Sequence, residues 1–176
     1  IFLFAGPLCI SAGLAWLSRI EPHWHYFPDV GIGIVAIAIG TGLVVTPLTT
    51  LAVTALGAHN SGLASGINNS ISRVGMLIGI AVMVVVLTEV FRSAMTDTLV
   101  MSELPAVSRV AILENVGQLA EMKWPQDLDS DYVALLSVTR TVAFLQGISQ
   151  VMLLAATMVM CSVFLVPWAS LRARED

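Results

Sequence analysis

The sequence predicts an all-α integral membrane protein with about four transmembrane helices, and three observations lead to this fold class. Of the 176 residues, 57% are hydrophobic and only 11% are charged, whereas an average soluble domain carries about a quarter charged residues. The mean hydropathy is +0.88, and several apolar runs reach the length that a membrane-spanning helix needs. No strand-like alternation runs through them, and lipid tolerates no open sheet edge. We therefore expect a multi-pass protein of the cell (cytoplasmic or inner) membrane, with the lipid bilayer as its surroundings.

Four apolar segments divide the chain. We predict membrane-spanning helices over residues 1–18, 30–56, 62–91 and 141–167. At 1.5 Å per residue, each complete segment crosses a hydrocarbon core of about 30 Å. The chain begins with an apolar Ile1 rather than with a Met and a charged flank, so the first segment is better explained as a truncated span than as a signal peptide. We expect the chain to be a C-terminal fragment of a longer protein.

The connections between the segments predict an orientation in the membrane. They are a short aromatic loop, a tight turn and a long polar loop, at residues 19–29, 57–61 and 92–140. Residues 103–122 of the long loop are compatible with a helix. The short tail, 168–176, contains Arg172 and Arg174, and basic residues favour the cytoplasmic side. The tail and the turn are therefore predicted to be cytoplasmic, and the two loops extracytoplasmic.

The third segment has an uneven distribution of polarity around its helix. At 100° per residue, one stripe is apolar and is expected to face lipid; it contains Leu63, Ile67, Ile71, Val74 and Ile78. The remaining half is small or polar and includes two GxxxG pairs, Gly62/Gly66 and Gly75/Gly79. Small residues let helix backbones approach closely in membranes. The four glycines are therefore predicted to form a helix-packing seam.

Asn69 and Arg73 lie on the same face as the first glycine pair. An arginine at the centre of a membrane helix costs about 2.5–3.5 kcal/mol on insertion scales, so it usually faces protein or a water-filled cavity. Arg73 also lies about three turns from the cytoplasmic end, close enough for its side chain to reach the interface. A role in a cytoplasmic gate and simple anchoring are both open for this residue.

The second and fourth segments carry further candidates for helix contacts. Gly33, Gly40 and Pro47 lie close together on a helical wheel and are predicted to pack against a neighbouring helix. Gln146 and Gln150 are one turn apart in the fourth segment. Amides at membrane depth either bond to another helix or line a transport pathway, and both explanations are open here.

Other function classes lack support in the sequence. The net charge is -4 and no basic patch with interleaved aromatic residues occurs, so a nucleic-acid partner is not expected. His23 and His25 have no third ligand in view, and no metal or other cofactor is expected. No arrangement typical of nucleophilic or acid–base catalysis occurs, so the chain is not expected to be an enzyme. Cys9 and Cys161 are expected to be apolar packing residues.

The block NSGLASGINNSISRVGMLIGIAV resembles a late-span signature of the major facilitator superfamily, in drug:proton antiporters of the 14-span EmrB/QacA type. The preceding GIGIVAIAIGTGLVVTP and the final AFLQGISQVMLLAATMVMCSVFLVPW also fit that family. The resemblance implies that the chain is the last four spans, part of the C-terminal helical bundle, of an exporter working by alternating access.

The partners implied by this resemblance are an N-terminal bundle of the same full-length chain, a small-molecule substrate, protons and periplasmic adaptor proteins. Asn69, Arg73, Gln146 and Gln150 would then line a substrate pathway or gate. Two alternatives are open. One is an importer of a small nutrient or organic acid in the same superfamily, and the other is a membrane scaffold subunit with no transport role.

Overall fold

The computed structural model describes residues 2–54, 60–101, 106–121, 124 and 129–172. Over these residues the chain forms helices and no strand. The α-helices are, in chain order, α1 (Phe2–Leu17), α2 (Gly31–Thr54), α3 (Ser61–Met101), α4 (Ala106–Glu114) and α5 (Ser130–Arg172). Two tighter or wider helical turns, at Tyr26–Val30 and Val116–Glu121, complete the described secondary structure. The all-α fold class is confirmed.

Three of the helices are long and apolar enough to cross a membrane. These stretches are Gly31–Ala52 in α2, Ser61–Met101 in α3 and Ser130–Val163 in α5. The fourth apolar helix, α1, has 16 residues and is shorter than a full span. Helices are the expected solution for such sequences, because an α-helix satisfies its backbone hydrogen bonds within one segment.

The two longest helices extend well beyond the bounds that hydropathy predicts. α3 continues past residue 91 to Met101, and α5 begins at Ser130 rather than at residue 141. With 41 and 43 residues, the two helices are each about 60 Å long, or about twice the hydrocarbon thickness. The extensions contain Arg92, Asp97 and Arg140 but no Gly or Pro, so nothing local ends the helix where the apolar run ends. Much of the predicted loop at 92–140 is therefore helical.

The extended ends of α3 and α5 enclose a small hydrophobic core, which we call the distal core. Phe91, Met95 and Leu99 are fully buried at successive turns of α3. They pack with residues from α4, the turn after it and α5, namely Ile112, Val116, Leu136 and Ala143. The guanidinium of Arg140 lies 5.5 Å from the ring centre of Trp124 at the edge of this core. The distal core joins the two long helices at one end.

The first two helices form an antiparallel pair whose connection is held by Asp29. The indole N–H of Trp16 donates a hydrogen bond to the Asp29 carbonyl at 2.7 Å, and the His25 amide donates to the Asp29 carboxylate at 2.9 Å. α1 also packs against α5, where the Ser149 hydroxyl donates a hydrogen bond to the Ser18 carbonyl. α5 therefore contacts both the α1–α2 pair and α3.

Candidate functional site

The predicted glycine face of α3 has no neighbour in the described part of the chain. A Cβ atom added at Gly62, Gly66, Gly75 or Gly79 would meet nothing within 4 Å. Of the 18 most apolar consecutive residues of α3, only 6% are buried. The predicted packing seam therefore has no packing partner among the described residues, and its role stays a prediction.

The apolar stripe of α3 is equally uncovered. Leu63, Ile71 and Ile78 are each at least 60% exposed, and Asn69 and Arg73 are exposed on the other face. Ala64, which is 4% exposed, is the one fully buried residue in the first half of α3. The assignment of one face to lipid and the other to protein or water remains a prediction, because the described helices cover neither.

The glycines predicted in α2 lie against α1, where two unpredicted glycines face them. A Cβ atom on Gly40 would lie 2.6 Å from the Gly6 carbonyl oxygen, and one on Gly6 would lie 2.8 Å from the Gly40 carbonyl oxygen. Gly13 and Gly33 repeat this arrangement. A Cβ atom on Gly13 would lie 2.7 Å from the Gly33 carbonyl oxygen, and one on Gly33 would lie 3.2 Å from the Gly13 carbonyl oxygen. The two pairs are seven residues apart on each helix, which is about two turns. We call this contact the α1–α2 glycine seam.

Pro47 follows Gly40 by seven residues and lies on the same face of α2, half-buried. α2 continues through the proline to Thr54. Beside it, the hydroxyl groups of Thr49 and Thr50 donate hydrogen bonds to carbonyl oxygens of the preceding turn, including that of Thr46. Such side-chain bonds help membrane helices to accommodate a proline, which removes one backbone donor.

Gln146 and Gln150 lie at a different level of the molecule from Asn69 and Arg73. Gly147, next to Gln146 on α5, packs against Leu87 of α3, since its added Cβ would lie 2.6 Å from a side-chain carbon of Leu87 and 3.2 Å from the Leu87 carbonyl oxygen. From residue 73 to residue 87, α3 rises by about 21 Å. The structure therefore does not bring the two predicted pathway pairs together. Both glutamine side chains are exposed.

Gln146 lies at one end of a groove of about 590 Å³ between α3 and α5. We call it the α3–α5 groove. Its lining residues on α3 are Val90, Ser93, Ala94, Asp97 and Thr98, and those on α5 are Val138, Thr139, Val142, Ala143 and Gln146. A volume of this size is typical of sites for small molecules. Six of these ten residues lie within positions 92–140, where hydropathy predicts a loop, and Gln146 is the one lining residue that the sequence identifies as a candidate.

Charged and metal-binding groups are sparse over the described ranges. No group of three or more His, Cys, Asp or Glu residues is placed there to hold a metal ion. Two histidine–carboxylate contacts lie in the connection after α1, His23–Glu21 at 3.3 Å and His25–Asp29 at 4.0 Å. Cys9 and Cys161 are free thiols.

The long apolar helices and the α1–α2 glycine seam define part of a multi-pass α-helical membrane protein. Two similar proteins give an indication of the class of membrane protein. The chain is 29% identical over 176 aligned residues to the multidrug resistance protein Stp of Mycobacterium tuberculosis, which covers 94% of this chain and 31% of that protein. It is 33% identical over 86 residues to the cephamycin export protein CmcT of Amycolatopsis lactamdurans, which covers 49% of this chain and 18% of that protein. No protein-family model matches the chain, and no solved structure is significantly similar to it.

These relatives are named for multidrug resistance and for cephamycin export. The chain spans about a third of the length of the multidrug resistance protein that it matches, at 31%.

Proposed function

We propose that the chain is part of an exporter of drugs or other small amphipathic compounds, of the EmrB/QacA type, which works by proton antiport and alternating access in the cytoplasmic membrane. The observation that carries this proposal is the similarity to a multidrug resistance protein along 94% of the chain. Three helices of membrane-spanning length agree with it.

The uncovered first half of α3 supports a larger bundle around these helices. Its glycine face, with Asn69 and Arg73, offers a surface that a neighbouring helix can approach closely. In transporters built from two repeats, one bundle rocks against the other around a site near the middle of the membrane. We assign this face of α3 to contact with an N-terminal bundle of the full-length chain.

Arg73 is the residue of α3 most in need of a partner in that arrangement. It is exposed, and it lies in a helix whose neighbouring side chains are almost all apolar or small. A guanidinium at such a position is stabilised by a carboxylate, by backbone carbonyls or by water in a cavity. Asn69 lies one turn away on the same face and adds hydrogen-bonding capacity. Together they would form part of the gate on the cytoplasmic side.

Export activity is tested with the full-length protein in inverted membrane vesicles. An imposed pH gradient, acidic inside the vesicle, should drive accumulation of a fluorescent amphipathic dye in the lumen, and a protonophore should abolish it. Dye accumulation that is unaffected by the protonophore would contradict proton antiport. Movement of dye in the opposite direction would favour an importer.

The gate is tested by comparing two arginines of the same helix. Arg73→Ala should lower dye transport about tenfold while the amount of inserted protein stays constant, because the guanidinium no longer meets its partner in the other bundle. Arg92→Ala is the matched control, since Arg92 is also exposed but lies at the far end of α3 near the distal core. Normal transport by Arg73→Ala would contradict the gate and leave membrane anchoring as the explanation of this residue.

A further inference from the structure

A second groove lies where the connection after α1 passes α5, and we call it the Arg140 groove. Its volume is about 410 Å³, and it is lined by one proline of the connection and five residues of α5, namely Pro22, Ser137, Val138, Arg140, Thr141 and Val142. The hydrogen bond from Ser149 to the Ser18 carbonyl holds the start of the connection against the same helix. Two distant parts of the chain therefore form this groove.

Arg140 indicates that the groove lies at the surface of the bilayer. It is the last charged residue of α5 before an uncharged run over residues 141–171. A basic side chain at such a boundary extends its charged group toward the lipid headgroups. Trp16 and Trp24, whose ring centres are 6.1 Å apart near the end of α1, are residues typical of the same level. The groove therefore opens at headgroup level, in the leaflet on the side of the distal core.

The lining of the groove combines one positive charge with apolar surface. Among the described residues that line it, Arg140 alone is charged. Its guanidinium lies over the Trp124 ring, and a guanidinium carries five N–H donors in its plane, enough for a phosphate in addition to other contacts. Beside it, Val138 and Val142 are 62% and 40% exposed. The groove therefore matches a ligand that has both a phosphate and a hydrocarbon chain.

The two hydroxyl groups of the lining leave the recognition of an anion to the guanidinium. The Ser137 hydroxyl donates a hydrogen bond to the Ala134 carbonyl at 2.8 Å, and the Thr141 hydroxyl donates to the Ser137 carbonyl at 3.0 Å. Both protons are thus used within α5. Because helical side chains lean toward the N-terminus, the Arg140 side chain extends toward the Ser137 end of the groove, away from the middle of the bilayer.

We propose that the Arg140 groove binds an anionic phospholipid. Its phosphodiester pairs with the guanidinium, as in other basic pockets that recognise lipid headgroups, and one acyl chain lies along Val138 and Val142. An anionic headgroup is preferred to a zwitterionic one, because the described lining contains no carboxylate to receive an ammonium group. This binding does not depend on the proposed export activity.

The site is located by photo-crosslinking of the full-length protein in nanodiscs. The probe is phosphatidylglycerol with a diazirine in one acyl chain, as a minor component of a phosphatidylcholine bilayer. Crosslinks should concentrate on residues 138–142. Replacing part of the phosphatidylcholine by unlabelled phosphatidylglycerol should reduce them severalfold, whereas phosphatidylethanolamine should not. Equal reduction by both lipids would overturn the anionic preference, and an absence of crosslinks at 138–142 would overturn the site.

A soluble phosphate ester tests whether the hydrocarbon chain is needed. Glycerol phosphate carries the same phosphate but no acyl chain, so it should leave the crosslinks unchanged. Loss of the crosslinks on adding glycerol phosphate would assign the groove to a free phosphate ester and overturn the lipid as its occupant.

Charge dependence is tested with two arginines at similar depth. Arg140 lies about 11 Å and Arg92 about 8 Å beyond the contact between Gly147 and Leu87, but Arg92 does not line the groove. Arg140→Gln should lower crosslinking at 138–142 about two- to fivefold, the range expected for a solvent-accessible ion pair. Arg140→Lys should restore most of it, and Arg92→Gln should change nothing. Equal losses in Arg140→Gln and Arg92→Gln would overturn the proposal. The competition between headgroups in the wild-type protein decides it even if Arg140→Gln does not fold.

Discussion

Glycines occur in two contrasting settings in this molecule, the α1–α2 glycine seam and the open glycine face of α3. In the seam, each glycine meets a glycine of the other helix, and the carbonyl oxygens lie within 2.6–3.2 Å of where a Cβ atom would be. On α3, four glycines in two pairs four residues apart also share one side of the helix, but they meet nothing within 4 Å. Glycine spacing on one helix therefore indicates a capacity for close packing, and the partner helix decides whether it is used.

Close contact in the seam has a physical basis that the open face lacks. When two helices approach at glycines, backbone Cα–H groups reach carbonyl oxygens of the facing helix, and each contact contributes about 0.5–1 kcal/mol. Such a contact requires small residues on both sides. Gly6 and Gly13 complement Gly40 and Gly33 in this way. In the full-length protein, a helix that packs on the glycine face of α3 should therefore carry small residues at the contact.

The largest effect on stability is expected in the seam. Gly40→Ala should destabilise the full-length protein by about 1–3 kcal/mol, because its new methyl group would overlap the Gly6 carbonyl oxygen and the helices must separate. The measurement is the thermal unfolding midpoint in detergent. Gly42→Ala is the matched control in the same helix, since nothing lies within 4 Å of its added Cβ. An equal shift for both variants would show that the seam is not a close contact.

A smaller effect on stability, but a large one on transport, is expected on the open face. Gly66→Leu should insert normally and unfold within a few degrees of the wild type, because the described helices leave space at this position. Transport in vesicles should fall severalfold if another bundle approaches this face, because leucine prevents close contact. Unchanged transport by this variant would mean that the open face is in contact with lipid only.

The smallest effect on stability is expected at the hydrogen bond that joins the α1–α2 pair to α5. Ser149→Ala removes the hydrogen bond to the Ser18 carbonyl and should cost about 0.6 kcal/mol, as is typical of such bonds between membrane helices. Ser162→Ala is the control, because that hydroxyl bonds within its own helix, to the Val159 carbonyl. A larger loss for the control would place the important contact elsewhere on α5.

The all-α fold could be predicted from the sequence, because composition and apolar length leave few alternatives in a membrane. The helix ends could not be predicted from hydropathy, since α3 and α5 continue as amphipathic helices after the apolar runs end. The signal for that continuation is the spacing of Phe91, Met95 and Leu99, four residues apart. This helical periodicity continues beyond the apolar run and is visible in the sequence.

The candidate sites were predictable only in part, because a residue's neighbours depend on tertiary structure. The sequence identified Gly33 and Gly40 but not their counterparts Gly6 and Gly13, because the first segment was treated as a truncated span. It identified Gln146 at one end of the α3–α5 groove but not Asp97, because Asp97 lies beyond the apolar run of its helix. The two sides of each contact come from distant parts of the chain.

Because α3 and α5 are long, a small tilt of either helix produces a large displacement at its end. The distal core fastens the two helices to each other at one end, so a tilt of either helix within the bilayer is transmitted to both. For a rod of about 60 Å, a tilt of only 10° about one end displaces the other end by about 10 Å. A spectroscopic probe at Val100, near the end of α3, would therefore detect a small tilt of the helix as a large displacement of the probe.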